Sequence, residues 1–359
     1  MVVQKDIVAI SIPFSAGVAT AAFMPPGMTL SYIMAEAGCL VSLTLLAVLC
    51  AGRRSPRVLF PLLFYALGIF CCANARLNLT PGTHIWAAAD KALRALDSLM
   101  DAVSFRHGET NALMKAMIAG ERGALDTGII QVFRRSGASH ILALSGLHLG
   151  VIYGILSKCL AWTGNSRAGR LIRSIAIIAV SLFYTRMTGA GPSVTRAFLF
   201  ITINEISGLL SGRRRRPLAV LATALMVQLV LNPLIIRSIG FQLSYLAMLG
   251  ILTVYPRLEG WYPEGQKADP VRKIWKSMAL TLSCQVFTAP LVWTTFGTFP
   301  KYFLLTNLLS LPLSEVFIVS SMATVGLSAA GCCPEIMKDL TDAVGQVLIK
   351  SLETIASLT

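Results

Sequence analysis

The chain has 359 residues, 55% of them hydrophobic and only 13% charged, and its formal net charge is +14. About ten of its apolar runs reach 18 residues or more with few or no charges, each long enough to cross a bilayer core of roughly 30 Å as a helix. That excludes an ordinary soluble domain and predicts an all-α, polytopic membrane protein with about 10–11 transmembrane helices plus interfacial amphipathic helices, its first partner being the lipid bilayer.

Val2 to Phe23 has the look of a signal-peptide apolar region, but more spans follow at once, so it reads as an uncleaved first helix. Further spans fall at about 29–51, 58–75, 139–162, 171–188, 192–211, 217–235, 239–256, 275–296 and 303–330. Basic residues collect in alternate connections: Arg53, Arg54 and Arg57; Lys158, Arg167, Arg170 and Arg173; Arg213 to Arg216; Arg257, Lys267, Arg272, Lys273 and Lys276. The other connections, MPPGM, TGAGPS, NPLIIRSIG and GTFPKY, carry almost no charge. One alternation puts every basic cluster on the cytoplasmic side, and with it the N-terminus. The positive charge is thereby explained as a topology signal and does not of itself argue for nucleic acid.

Four segments follow: 1–75, an N-terminal three-helix transmembrane part; 76–137, extracytoplasmic and helical; 138–330, a transmembrane core; and 331–359, an amphipathic helix or weak eleventh span. In the second, Leu93, Leu96, Leu99, Met100 and Val103 recur at three- and four-residue steps beside Arg94, Asp97 and Asp101, the pattern of a helix lying in the outer interface. The eight cysteines and four histidines show no metal-ligand spacing, so no metal or cofactor is expected.

The chemistry-bearing motifs lie in the fourth, sixth, eighth and tenth spans. HILALSGLHLGVIYG (140–154) places Gly146, Gly150 and Gly154 on one helix face, a small-residue stripe suited to close helix packing. Ser145 and His148 share a neighbouring face; a cross-helix hydrogen bond and a place on a polar pathway are both open for them. No carboxylate stands nearby to orient the histidine and no nucleophile elbow surrounds the serine, so catalysis is not expected.

GAGPSVTRAFLF (189–200) starts a helix at Pro192 and puts Arg196 near the positive end of its dipole, an anion-friendly arrangement that competes with simple snorkelling. SIGFQLSYLAMLG (238–250) brings Phe241, Gln242, Ser244 and Tyr245. FLLTNLLSLPLSEVF (303–317) brings Asn307, Glu315 and a mid-helix Pro312 that predicts a kink or a broken helix. All four motifs occupy the outer halves of spans descending from outside to inside, as the lining of an outward-facing polar cavity would.

These stretches, with ALMKAMIAGERGAL before them and TAPLVWTTFGTFPKYFLLTNLLSLPL at the end, resemble the competence-domain family of ComEC proteins from about Leu113 to Val325. The resemblance implies a bacterial inner-membrane channel that conducts single-stranded DNA into the cytoplasm during natural transformation. It implies an extracytoplasmic DNA receptor and a cytoplasmic translocase or single-strand-binding protein as partners. Arg196 would then meet phosphates, Phe241, Tyr245 or Phe299 would stack on or constrict around bases, and Gln242, Ser244, Ser145, His148 and Asn307 would supply neutral hydrogen bonds. The OB-like and metallo-β-lactamase-like domains of the family are not recognisable here, so the membrane core alone is expected, without nuclease activity. A transporter of a small anionic solute, with broken helices and a midplane site, is the alternative; a scaffold whose polar groups merely pack helices is a third reading.

Overall fold

In a computed structural model the chain is described over residues 2–24, 56–77, 87–164, 166–211, 216–262, 269–297 and 299–358, with scattered positions between 38 and 49. The expected second span, 29–51, and Arg213 to Arg215 therefore lie outside the described residues. Among those residues the regular structure is helical. Four helices are long and apolar enough to cross a membrane, and the protein is a membrane protein: α8 (Arg167–Met187), α9 (Pro192–Ser211), α13 (Pro270–Phe296) and α14 (Phe303–Ala329). Shorter apolar helices are α1 (Val2–Phe23), α2 (Pro56–Leu77), α10 (Pro217–Leu231) and α11 (Ile239–Thr253), and a five-residue α12 (Tyr255–Glu259) follows α11. The chain divides into two units: Met1–Ile85 with Leu199–Met248, and Trp86–Phe198 with Leu249–Thr359.

In the first unit α1 and α2 cross where each offers a glycine. A Cβ on Gly17 would collide with the Tyr65 carbonyl, and one on Gly68 with the Phe14 carbonyl. Phe14, Val18, Ala66 and Ala73 close around this crossing. Arg76, at the end of α2, donates to the carbonyls of Ala22 (3.1 Å) and Met24 (3.4 Å). A cation there satisfies carbonyls that the end of α1 leaves free and meets the negative end of its dipole. The helix α10 starts on Pro217 and stops at Asn232, because Pro233 disfavours a helical residue before it. A single 3₁₀ segment, Pro233–Arg237, follows, so the expected span 217–235 ends as a helix at Leu231.

The second unit has one main core. The helices α3 (Ala87–Asp101), α4 (Gly108–Ile118), α5 (Thr127–Arg135) and α6 (Ser139–Leu142) share it with α14 and α15 (Glu335–Ser357). Met100, Leu113, Met117, Phe133, Phe317 and Leu348 are fully buried there. The apolar stripe read in 76–137 is thus spent largely on protein: Met100 and Val103 are buried and only Leu99 remains exposed. Thr110 and His107 bond Asp342 of α15, whose neighbour Thr341 meets Thr324 on α14, while Ser136 accepts from Thr306. Thr306 and Thr324 are about 27 Å apart at 1.5 Å per residue. Segment 107–136 therefore runs along α14 rather than resting at one end of it.

Candidate functional site

The expected fourth span, 139–162, is not one helix. The short α6 stops at Ala143, whose backbone is extended; Ser145, also extended, then caps α7 (Gly146–Cys159). Ser145 Oγ accepts from the Leu147 N–H at 3.2 Å, and the Ser145 N–H donates to His148 Nδ1 at 3.1 Å. This is a capping box with histidine in the place usually held by Glu or Gln. The pairing answers why Ser and His stand three residues apart. A backbone N–H only donates, so Nδ1 is the bare nitrogen and the proton sits on Nε2. His148 is 3% exposed, and Nε2 has no hydrogen-bond partner among the described residues.

Arg196 comes to the same place from α9. The loop before it holds Gly189 at φ 79° and Ala190 at φ 50°, the latter a left-handed conformation that costs an alanine energy. It is held by the Ala190 N–H to Thr185 O (2.8 Å) and by the Thr195 hydroxyl to Ala190 O (3.0 Å). A Cβ built on Gly146 would lie 3.3 Å from Ala197 Cβ and 3.7 Å from Arg196 Nη2. The guanidinium is therefore packed against the first turn of α7. Ala197 is five residues into α9, so the start of α7 meets α9 about 8 Å along from its first residue. The 14 α-helical residues of α7 run directly into a 3₁₀ segment, Leu160–Thr163, and together they are about 29 Å long, close to a bilayer core. The helix start and the guanidinium are both positive, and together they attract an anion.

Ser145, Gly146, His148 and Arg196 are thus brought together. Of the small-residue stripe, Gly146 is closely approached, while among the described residues of its own unit nothing lies within 4 Å of a Cβ built on Gly150 or Gly154. The close approach is at Gly146 because α9 meets α7 at its first turn. A second close approach in this unit is at Gly250, the last turn of α11, whose Cβ would strike the Ser283 carbonyl of α13.

Phe241, Gln242, Ser244 and Tyr245 lie on the part of α11 in the first unit. Phe241 and Tyr245 are buried and set against each other at 4.7 Å between ring centroids. The Tyr245 hydroxyl donates to Gln228 Oε1 (2.9 Å), and Gln242 Nε2 to Ile236 O (2.8 Å). Those groups hold α11 to α10 and the 3₁₀ turn, and the two rings use their faces within the unit. Phe299 meets Phe303 edge-on at 5.4 Å. Asn307 is half-buried on α14 with Oδ1 unpartnered among the described residues. Of the kink or break expected at Pro312, the break does not occur: α14 is helical from Phe303 to Ala329, and Glu315 is exposed on it.

One cluster escaped the sequence reading. Lys115 of α4 is nearly buried, 2.8 Å from Asp101 and 3.5 Å from Asp97. Hydrogen bonding to Asp101 raises its pKa, while a hydrogen bond with Asp97 raises that of Glu121. The i, i+4 pair Asp97–Asp101 was visible in the sequence, but nothing local pairs it with Lys115.

The Competence protein family model matches residues 117–359, more than half of the chain, which belongs to this family. The chain is 28% identical over 144 residues to ComE operon protein 3 of Bacillus subtilis (strain 168), covering 40% of this chain and 18% of that protein. It is 27% identical over 222 residues to Competence protein ComA of Neisseria gonorrhoeae, covering 60% and 30%. With an uncharacterized protein of Aquifex aeolicus (strain VF5) it shares 30% identity over 200 residues, 55% of this chain and 44% of that one. The chain thus spans less than half the length of these relatives. No solved structure matches it.

Proposed function

We propose that this member of the Competence family serves DNA uptake, conducting a single DNA strand across the bacterial inner membrane into the cytoplasm. The observation that carries the reading is the meeting of Arg196 with the capped start of α7. An anion-attracting helix start inside a membrane protein suits a negatively charged passenger. Membership of the Competence family supports DNA as that passenger. In this reading the N-terminus is cytoplasmic, because basic connections stay inside. An extracytoplasmic receptor delivers DNA, a cytoplasmic translocase or single-strand-binding protein withdraws it, and no hydrolytic step is assigned to this chain.

A carrier for a small anionic solute is the second reading, since one guanidinium at one helix start would hold a small anion equally well. The test is Arg196→Ala in a naturally transformable host, at matched membrane levels. Conduction requires internalised labelled DNA and transformant counts to fall at least about tenfold while surface-bound DNA is unchanged, the loss expected of a charge-assisted contact. Wild-type internalisation would move the solute carrier ahead.

A further inference from the structure

We infer that Ser145, Gly146, His148 and Arg196 form a binding site for one phosphodiester group, an inference that rests on the conduction reading. The capping box fixes the tautomer of His148, so Nε2 carries a hydrogen and needs an acceptor. That atom is buried and unpartnered among the described residues, one ring width from the nitrogen that holds the start of α7. His148 stands in the first turn of α7, and the helix start and the guanidinium beside Gly146 add positive potential around that turn. Buried donors of this kind are satisfied by an anion with several oxygens. A phosphodiester offers two non-bridging oxygens, which match the guanidinium fork. It keeps a single charge, and one cation holds it weakly enough to release it to the next position along a path.

The site separates two roles of His148 that ordinary substitution would confound. Both Ser-x-x-Glu and Ser-x-x-Gln are capping boxes, so His148→Glu and His148→Gln keep the start of α7. Only Gln also keeps an N–H to give to a phosphate, whereas Glu puts a carboxylate in its place. The full chain in nanodiscs of neutral lipid is titrated with labelled oligothymidylate and with its uncharged methylphosphonate analogue. Both variants should keep the wild-type unfolding temperature. The wild type should prefer the phosphodiester strand, and H148E should lose at least about tenfold in affinity for it. Its slope of log K against log salt should fall by about 0.7, one phosphate contact on a single strand. H148Q should recover most of the loss.

Equal binding by H148E and wild type, with DNA internalised normally in cells, would overturn the site and leave conduction standing. A wild type that ignores the backbone charge and imports no DNA would remove the conduction reading itself. If H148E instead loses retention of labelled phosphatidylglycerol while binding the strand normally, the phosphate is a lipid headgroup and the inference is wrong.

Discussion

Ser145→Ala tests whether α7 begins where the capping box places it. The hydroxyl serves two atoms, accepting from the Leu147 N–H at 3.2 Å and lying 3.0 Å from His148 Nδ1. Alanine removes both contacts but keeps the Ala N–H to His148 Nδ1, so half of the box survives. Loss of a serine N-cap costs about 1 kcal/mol, within a range of roughly 0.5–2. In a unit of this size that lowers the unfolding temperature by about 2–4 °C. Adding His148→Leu removes the other half, and the two losses should not add, because both groups act on one turn. The measurement is thermal unfolding of the detergent-solubilised full chain, followed by retained fluorescence of a C-terminal reporter. Ser145→Asn should restore most of the loss, since asparagine caps as well as serine. An S145A protein that unfolds with the wild type, or an S145N protein as weak as S145A, would refute the cap and with it the start of α7 at Gly146.

Lys115→Met should cost about 1–3 kcal/mol, because Asp97 and Asp101 lose the cation between them; unfolding of the single variant and of K115M/D97N, which should recover part of the loss, checks this. Glu121 has its folded pKa raised by the hydrogen bond with Asp97, so its contribution is full below the unfolded pKa and is lost as pH rises through the folded one. The unfolding temperature should therefore rise from neutral to mildly acid pH, and Glu121→Gln should raise it at neutral pH and flatten that slope. Gly68→Val should cost at least about 1–3 kcal/mol, because its side chain meets the Phe14 carbonyl, whereas Gly150→Ala should be neutral or stabilising by up to about 1 kcal/mol. The same unfolding measurement separates these two glycines.

Hydropathy made most of the helices legible. Runs at 171–188, 192–211, 275–296 and 303–330 reappear as α8, α9, α13 and α14 with ends shifted by a few residues. N-terminal shifts have local causes: α13 starts five residues early because Asp269 caps it, accepting from the Val271 N–H at 2.9 Å, with Pro270 in the first position. The partner of the amphipathic stripe at 93–103 was not legible. Periodicity says that Met100 and Val103 share a face, but α14 and α15, which cover them, lie more than 200 residues away in the chain. For the site, residue types were legible and neighbours were not. Arg196 was recognised as anion-friendly from its place in α9, yet its approach to Gly146 depends on how two helices pack.

The contrast between Ser145 and Ser310 shows what decides whether an apolar run breaks. Both serines sit in stretches that hydropathy reads as single spans, and Ser310 stands two residues before a proline. The break nevertheless occurs at Ser145, and α14 continues through Pro312. Ser310 turns its hydroxyl back to the Thr306 carbonyl at 2.6 Å, and Ser314 does the same to Leu311 at 2.8 Å. These bonds leave the helix whole. Ser145 turns its hydroxyl forward to an amide, which starts a helix. Three residues beyond Ser145 stands a histidine able to accept the serine's own N–H; three beyond Ser310 stands Leu313, which accepts nothing. A helix start within a membrane protein must satisfy its amides from side chains nearby, because lipid offers no acceptor. The proline frees one carbonyl but does not supply the caps that a break requires. The residue at the third position after the serine therefore decides where an oily stretch opens, and at 145–148 it opens beside an arginine.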